Sequence, residues 1–345
     1  MIDEAKNLTF NDFGDSDARS GDSHITTAVA VKNLETQQTE VVIHKYDGTH
    51  CPGHDHSVAI AGDGKSRLFS VHPNDRSKCM AKLLTYKDYF VSFMCNGPMT
   101  VSKDNAVVFT SKESIREYPG YRSYDLNTNR NVKLAGDYVY FIDENCQLVV
   151  YDLKRLLALP ESHRAQFEPK IVKGTFAFEE FCVDSANRVT VVSKDGRLSL
   201  WPETPNALEL SKLESGRLGT QYGAVETLLG YVVVGSFCPK AKLRAYSVFS
   251  RKWKKLKLLA FAKKTSYNSR VKNMLLFTKK DMLHILSAAE YREVDLLVFN
   301  RRKTLSLVNT MEVCDRAVNG MVWLKEGEEA LVCGGSRTLK SIKLT

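Results

Sequence analysis

The densest group of potential metal ligands in the chain is the segment His50-Cys51-Pro52-Gly53-His54-Asp55-His56. Imidazole and thiolate groups are ligands that zinc and copper prefer. The spacing matches no closed four-ligand pattern, and no second cluster in the sequence completes one. A polar loop between two strands is the simpler interpretation, so we predict no metal and no other cofactor. The weak candidate for a metal site consists of His50, Cys51, His54 and His56.

Motifs for acid–base or nucleophilic catalysis are absent from the sequence. It contains no Gly-x-Ser-x-Gly, no Gly-x-x-x-x-Gly-Lys phosphate loop and no His-Glu-x-x-His. Asp143-Glu144 and Glu179-Glu180 are carboxylate pairs, but adjacent side chains on a strand or turn point apart. We therefore predict a protein without catalytic residues. An enzyme with a site at a central channel is kept as an alternative, because sequence spacing cannot reveal such a site.

The strongest charged feature is a basic stretch over residues 251–272, which holds nine bases and no acid. This basic pole, with its aromatic residue, consists of Arg251, Lys252, Trp253, Lys254, Lys255, Lys257, Lys263, Lys264, Arg270 and Lys272. Such density suits an acidic surface, such as RNA, an acidic or phosphorylated protein segment, or a polyanionic filament. The alternative is that these lysines are solvated and protect an edge strand from aggregation.

The first 24 residues have the opposite charge. They carry six acids against Lys6 and Arg19, which is a net charge of −4. The segment is rich in Asp, Asn, Gly and Ser and cannot bury enough apolar surface to offset its ordering entropy. We predict a flexible acidic leader over residues 1–24. Three roles stay open: folding back onto the basic pole, docking through Leu8, Phe10 and Phe13 onto another protein, or remaining solvated.

The overall composition is that of an ordinary folded protein. The chain has 345 residues, 43% of them hydrophobic, and a formal charge of +9. It has no apolar run of about 18 residues that could span a membrane, and its first residues do not resemble a secretory signal. Eight cysteines occur singly, most of them in apolar runs. We therefore predict reduced thiols and a cytoplasmic or nuclear location.

From Ile25 onward the pattern favours β-structure, with short runs rich in Val, Ile, Phe and Tyr between turn residues. Only Tyr151–Leu159 indicates a helical turn, which Pro160 would end. The strand candidates include Thr27–Val31, Val41–His44, Ser57–Ala61, Tyr138–Ile142, Val189–Val192, Tyr231–Val234, Met274–Phe277 and Ala330–Cys333.

A turn rich in Asp, Gly or Asn followed by a strand recurs along the chain, most clearly at Ser193–Trp201 and Ser102–Thr110. The copies end at Ser70, Thr110, Tyr151, Trp201, Tyr246, Phe299 and Ile342, with spacings of 40, 41, 50, 45, 53 and 43 residues. Repeats of this length form arrays in which neighbouring sheets cover each other's apolar faces. We predict a single all-β domain over residues 25–345, a seven-bladed β-propeller.

The two ends of the chain suggest how such a ring would close. The last repeat holds only three strand candidates before Thr345, and Thr27–Val31 precedes the first full repeat without an assignment. We therefore predict that Thr27–Val31 supplies the outer strand of the last blade, so that the propeller is closed by an N-terminal strand.

Individual repeats resemble known propeller families. Asp195–Trp201 resembles the third strand of a WD40 repeat, and Val149–Asp152 resembles a variant of its Trp-Asp ending, although Pro202 replaces the Asp after Trp201. The repeat around Tyr246 is similar to a kelch repeat in the spacing of its aromatic residues, and Gly235-Ser236 stands where kelch has a glycine pair.

Propellers of both families serve mainly as rigid platforms for other proteins. The resemblance therefore implies a non-catalytic protein–protein interaction scaffold, a subunit of a larger assembly. The alternative is a propeller that binds a polyanion, RNA or a ribonucleoprotein through the basic pole, and the third possibility is the channel enzyme. Fold alone does not decide between them.

Overall fold

The fold was analysed in a computed structural model of the chain. It describes residues 6–7, 24–32, 39–46, 56–60, 66–69, 80–94, 97–104, 106–115, 132–172, 177–193, 198–201, 221–238, 240, 242–252, 255–265, 271–289, 292–313, 318–334 and 339–344. The described chain is almost entirely β-structure, with two short helices. It divides into two compact units, one made of Met1–Asn129 with Glu312–Thr345, the other of Arg130–Met311.

The secondary-structure elements follow one another as short antiparallel strands. In chain order the strands are β1 (Lys6–Asn7), β2 (His24–Lys32), β3 (Thr39–Tyr46), β4 (His56–Ile60), β5 (Ser66–Phe69), β6 (Met80–Tyr86), β7 (Tyr89–Met94), β8 (Pro98–Lys103), β9 (Ala106–Ser114), β10 (Val132–Ala135), β11 (Tyr138–Ile142), β12 (Leu148–Asp152), β13 (Lys170–Val172), β14 (Phe178–Val183), β15 (Val189–Ser193), β16 (Leu198–Trp201), β17 (Gln221–Leu228), β18 (Tyr231–Cys238), β19 (Leu243–Lys252), β20 (Lys255–Thr265), β21 (Val271–Lys279), β22 (Met282–Ala289), β23 (Glu293–Phe299), β24 (Leu305–Glu312), β25 (Val318–Lys325), β26 (Glu329–Gly334) and β27 (Leu339–Lys343). The helices are α1 (Leu153–Ala158) and α2 (Glu161–Arg164).

The first unit contains three four-stranded sheets. Their strand orders are β2-β3-β4-β5, β6-β7-β8-β9 and β1-β27-β26-β25. The first strands of these sheets lie side by side, since β2 contacts both β6 and β25. This arrangement covers the apolar faces of strands that a single sheet would leave in water.

The second unit contains three further four-stranded sheets and one of three strands. The orders are β10-β11-β12-β13, β14-β15-β16, β17-β18-β19-β20 and β21-β22-β23-β24. Both helices lie between β12 and β13: α1 is the helical turn predicted before Pro160, and α2, which begins just after Pro160, was not predicted. Asp152 caps α1 by accepting a hydrogen bond from the backbone N–H of Arg155 at 3.0 Å, which satisfies one of the donors that a helix start leaves open.

The core of the second unit lies between its sheets. Because side chains alternate along a strand, β18 contributes to two cores at once. Val232 and Val234 pack toward the sheet of β14–β16, whereas Val233 packs toward the sheet of β21–β24. A strand that is buried on both faces has apolar residues at consecutive positions. Tyr231–Val234 shows this pattern in the sequence.

The contact between β17 and β21 is close enough to require glycine. A Cβ added at Gly223 would lie 2.0 Å from the backbone oxygen of Val271, and one at Gly235 would lie 2.8 Å from the Val271 side chain. No side-chain rotation can relieve a clash with a backbone atom. These two glycines therefore set the distance between neighbouring sheets.

The strand pairing corrects the predicted number of blades. Six sheets are complete four-stranded blades, not seven, and β14–β16 form a three-stranded sheet. A seventh full blade would need a strand paired with the outer side of β16, and the described residues supply none. The following segment, 202–220, lies outside them.

The strand pairing also contradicts the predicted place of Thr27–Val31 in the last sheet. Thr27–Val31 lies in β2, the first strand of the first sheet, where Ala28 pairs with Ile43. The strand on the outer side of β27 is instead β1, with Lys6 opposite Ser341 and Asn7 opposite Lys340.

The wrong assignment of Thr27–Val31 comes from the recurrent motif of a turn followed by a strand. The copies ending at Tyr151, Trp201, Tyr246, Phe299 and Ile342 lie on the third strand of their sheets. The copy ending at Thr110 lies on β9, which is a fourth strand. Every hairpin contains a turn followed by a strand. The motif therefore indicates how many repeats there are, but not which strand of each sheet it occupies. The repeat boundaries predicted near the N-terminus are therefore shifted by one strand relative to the sheets. As a result, β2 is left without a place in the first repeat.

Candidate functional site

The predicted basic pole lies on one hairpin and the strand that follows it. Arg251 and Lys252 end β19, four of the lysines lie on β20, and Lys272 is the second residue of β21. Trp253, Lys254 and Arg270 lie outside the described residues. The hairpin brings the two strands into antiparallel register, with Arg244 opposite Lys264 and Arg251 opposite Leu256.

The lysines of this hairpin have different environments. Lys257 and Lys263 are exposed, and the Lys263 Nζ lies 5.1 Å from the centroid of the Phe261 ring, where it makes a cation–π contact. Lys272 is only 3% exposed. Lys264 is half-buried and contacts two carboxylates. Lys257 and Lys263 are therefore the lysines of this group that the described structure presents to solvent.

Lys264 belongs to a buried polar group between the sheets of β17–β20 and β21–β24. We call it the inter-sheet ionic cluster, and its members are Arg244, Tyr246, Lys264, Ser287, Glu293, Asp295 and Thr310. Its formal charges are two positive and two negative, so they balance. The cluster crosses from one sheet to the next and ties the two sheets together.

Asp295 is the centre of the cluster and is fully buried. Its carboxylate accepts hydrogen bonds from Tyr246 Oη at 2.8 Å, Lys264 Nζ at 3.0 Å and Thr310 Oγ1 at 2.8 Å. The Arg244 Nη1 lies 3.5 Å away. A buried charge is tolerated only with partners of this kind.

Arg244 and Glu293 form the second half of the cluster. The Arg244 side chain is fully buried, and its Nη2 donates to Glu293 Oε2 at 2.5 Å. Lys264 Nζ donates to the same oxygen at 3.0 Å. Ser287 donates to the Tyr246 hydroxyl at 3.2 Å, which continues the network into β22.

The electrostatics hold these groups in their ordinary charge states. Burial would raise the pKa of Glu293, but the hydrogen bonds from Lys264 and Arg244 outweigh it and lower the pKa. Burial and the Asp295 charge raise the pKa of Tyr246. Burial opposes the charge of Arg244, yet Tyr246, Asp295 and Glu293 together keep its pKa above the ordinary value. None of these three groups is poised to exchange a proton near neutral pH, so the cluster suits a structural role.

A second ion pair connects first strands of the second unit. Lys133 on β10 contacts Glu226 on β17, and Glu180 on the intervening β14 is buried. Burial opposes the charge of Lys133, but Glu226, through its charge and hydrogen bond, and then Glu180 outweigh it and raise the pKa. A lysine held protonated is a poor nucleophile, so this pair does not support the channel-enzyme alternative.

The predicted carboxylate pairs behave as structural groups. Asp143 is buried and its Oδ1 accepts a hydrogen bond from the Gln147 backbone N–H at 2.8 Å, which closes the turn between β11 and β12. Glu180 is buried and Glu179 only half-buried, in keeping with adjacent side chains that point apart.

The sequence patterns did not predict which apolar side chains are exposed. Four outer strands carry them: Val107 on β9, Ile171 on β13, Leu258 on β20, and Leu307 and Val308 on β24. An exposed apolar residue on an edge strand has the same sequence pattern as a buried one, so no signal distinguishes them before the sheet order is known.

Among the large apolar residues whose exposure the structure describes, Leu229 is the most exposed, at 74%. It occupies the two-residue turn between β17 and β18 with a φ of 48°, followed by Gly230 with a φ of 80°. Hairpin turns with two positive φ values favour Asn-Gly, because leucine is strained in the left-handed region. The chain therefore holds a bulky apolar side chain in water at a position where a small polar residue would be more stable.

The weak candidate metal site is not described by the structure. Residues 50–55 lie outside the described chain, and of His56 only its place at the start of β4 is known. Within the described residues, no three His, Cys, Asp or Glu side chains gather closely enough to hold a metal ion. Cys146, Cys182 and Cys238, the cysteines with a described state, form no disulfide within the described residues. Neither α1 nor α2, the helices in the described chain, is long and apolar enough to cross a membrane.

Comparisons with known proteins identify the fold. The chain is similar to BBS1N in complex with ARL6DN, with a TM-score of 0.57 and 14% identity over 95% of each chain. It is also similar to the computationally designed Ika8 protein, with a TM-score of 0.55 and 14% identity over 94% of this chain and 98% of that chain. The C-terminal WD40 domain of Sif2 matches with a TM-score of 0.53 and 11% identity, over 94% of this chain and 82% of that one.

A further match is BamB from Moraxella catarrhalis, with a TM-score of 0.52 and 13% identity over 89% of this chain and 82% of that one. No family model matches the sequence, and no curated protein does. The chain is therefore a β-propeller. This is the fold that the resemblance of its repeats to WD40 and kelch repeats predicted.

Proposed function

We propose that this WD40-like propeller is a non-catalytic platform for protein partners, a subunit of a cytoplasmic or nuclear assembly. The observation that supports this proposal is the exposure of Leu229. An apolar side chain that is 74% exposed in a strained turn conformation lowers the stability of the free protein. Such a residue is favourable where a partner covers it, because buried apolar anchors dominate protein interfaces.

The propeller would act by presenting the β17–β18 turn to its partner on a rigid surface. Sheets packed on both faces, with glycine-mediated contact between β17 and β21, hold the β17–β18 turn in one position. The inter-sheet ionic cluster adds polar contacts between the same two sheets. A partner then meets a surface that is already ordered, which reduces the entropy lost on binding. A neighbour of the same fold, BBS1N, was crystallised with ARL6DN, so a propeller of this size can present a protein-binding surface.

The test compares Leu229→Asn with a matched control. Asparagine tolerates a positive φ, so the variant should fold as well as the wild type and should lose at least about tenfold in partner binding, an amount typical of an interface anchor. Partners are captured with the intact protein, identified by mass spectrometry and then titrated one at a time.

Lys87→Asn is the control, because Lys87 is exposed in another turn with a φ of 53°. It should leave every affinity unchanged. Equal binding of all captured partners by wild type and Leu229→Asn would contradict the proposal.

A second candidate function is polyanion binding through the basic pole. The supporting observation is the exposure of Lys257 and Lys263 on β20. Lys264, in contrast, is neutralised by Glu293 and Asp295. Affinity for single-stranded RNA should then fall steeply with salt concentration, because each phosphate contact releases counterions.

The variant for this candidate is Lys257→Glu with Lys263→Glu. It should weaken RNA binding and reduce the slope of log affinity against log salt by about 1 for each lost contact. Lys154→Glu with Arg155→Glu on α1 is the control, since both are exposed and the charge change is equal. Equal losses in the two double variants would show nonspecific attraction and rule out a site on β20.

A further inference from the structure

The outer strand β24 differs from the other outer strands in having an open and unprotected edge. It is the last strand of the order β21-β22-β23-β24, so no described strand pairs with its outer side. Leu307 and Val308 at its centre are 38% and 51% exposed. Ser306 and Thr310 beside them are exposed as well.

A comparison with β20 shows what β24 lacks. The edge strand β20 contains four lysines, and the two exposed ones, Lys257 and Lys263, are the usual protection against edge-to-edge pairing. The eight residues of β24, Leu-Ser-Leu-Val-Asn-Thr-Met-Glu, contain no lysine, arginine or proline. Other described outer strands are protected differently: β5 and β13 have only four and three residues, and β9 contains Lys112 and pairs irregularly with β8.

The backbone of β24 is held in place along its length. At its start Leu305 is buried in the core between the sheets. Near its end Thr310 donates to Asp295 at 2.8 Å and accepts from Lys264 at 3.1 Å. The preceding turn is closed by Asn300, whose side chain accepts from the backbone N–H groups of Arg302 and Thr304. An extended strand that is already ordered can add another strand with little further loss of entropy.

We propose that β24 pairs with β24 of a second copy of this chain in an antiparallel, two-fold symmetric dimer. A two-fold axis normal to the sheet can place Leu307 opposite Leu307 of the second copy, with Val308 opposite Ser306 on the other face. The exposed apolar side chains then cover one another at the centre of the new sheet. This proposal goes beyond the platform function, which requires no self-association.

The charges at the two ends of β24 favour a second copy of this chain as the pairing partner. The turn before β24 presents exposed Arg302 and Lys303, and the strand ends in exposed Glu312. Antiparallel pairing of two copies brings the basic turn of one beside the acidic end of the other, at both ends of the ladder. Opposite charges across strands stabilise a pair, and like charges destabilise it. A parallel arrangement would place bases beside bases.

The test is the mass of the full-length protein in solution. One added strand pair buries less surface than a standard interface, so the dimer should form in the range of about 10 to 100 µM and be concentration-dependent. Sedimentation equilibrium should give a mass that rises from 38.9 kDa toward twice that value. Val308→Lys should remain monomeric, because an edge lysine must be buried on pairing.

Leu258→Lys on β20 is the matched control, since Leu258 is also on an outer strand and is 47% exposed. It should dimerise like the wild type. Circular dichroism verifies that both variants fold.

A charge exchange tests the register independently at exposed positions. When Leu307 lies opposite Leu307, Arg302 of one copy lies opposite Glu312 of the other, so Arg302→Glu and Glu312→Lys should each weaken the dimer several-fold, and the double variant should restore it. A wild type that stays monomeric throughout the concentration range overturns the proposal, as does equal dimerisation of Val308→Lys and Leu258→Lys. Because the assay contains only this protein, either result leaves the binding of other proteins through Leu229 untouched.

Discussion

Replacing Asp295 by asparagine removes the central charge of the inter-sheet ionic cluster with almost no change in shape. Tyr246 donates to Oδ2 and Thr310 to Oδ1, so the single amide oxygen can keep only one of these hydrogen bonds, and the variant loses the charge together with the other hydrogen bond. Arg244, which is fully buried, and Lys264 then share the single carboxylate of Glu293. Removing one partner of a buried ion pair typically costs about 3–5 kcal/mol. Because Glu293 remains, we expect the low end of that range, about 3 kcal/mol.

The assay is urea unfolding followed by circular dichroism, with hydrogen exchange of the two sheets as a local measurement. The second measurement matters because a chain with two compact units need not unfold in one step. Peptides from β19, β20, β23 and β24 should lose protection in Asp295→Asn, whereas peptides from the first unit should change little.

Asp281→Asn is the matched control. Asp281 also forms an ion pair, with Arg301, but the two side chains are 77% and 75% exposed. Surface pairs contribute about 0–1 kcal/mol, so this variant should be nearly as stable as the wild type. If Asp295→Asn loses no more than Asp281→Asn, the cluster does not hold the sheets together and the reasoning is wrong.

Three further predictions concern packing and charge. Gly223→Ala should destabilise by about 3 kcal/mol or more, because its Cβ meets the Val271 backbone, while Gly320→Ala, with nothing within 4 Å, should be nearly neutral in urea unfolding. Since the folded-state pKa of Glu293 lies below its ordinary 4.5, its contribution is complete above that value and is lost as pH falls through the folded pKa. Glu293→Gln should therefore flatten the loss of unfolding free energy between about pH 5 and pH 3, and an unchanged slope would exclude this role. Glu226→Gln should cost about 1.5–3 kcal/mol, the scale of a hydrogen bond to a charged group, and a neutral result in urea unfolding would show that the Lys133 pair is not stabilising.

Local patterns in the sequence predicted the elements well. Tyr138–Ile142 is β11 to the residue, and the helical turn before Pro160 is α1. Alternation and turn chemistry act over a few residues, so they are readable without the fold. The same information could not distinguish a third from a fourth strand, because both follow a hairpin turn. For that reason the sequence wrongly predicts Thr27–Val31 as a closing strand and predicts seven complete blades where the strand pairing shows six.

The candidate sites were less predictable for a related reason. The basic pole was found as a run of charge, yet the run contains exposed Lys257, neutralised Lys264 and buried Lys272. The partners of Lys264 lie 29 and 31 residues away on the next sheet. Pairing at that distance in the chain depends on how sheets stack, and no local pattern records it.

By itself, the sequence determined that this protein is a β-propeller, since repeated short strands with two apolar faces must stack in order to be buried. It also determined where most strands lie and that charge is concentrated at 251–272. Only the tertiary structure decided which of those charges are available, that Asp295 joins two sheets, and that Leu229, Leu307 and Val308 face solvent. The physical reason is that the burial of a residue depends on its neighbours in space, and in this protein many of those neighbours come from the adjacent sheet.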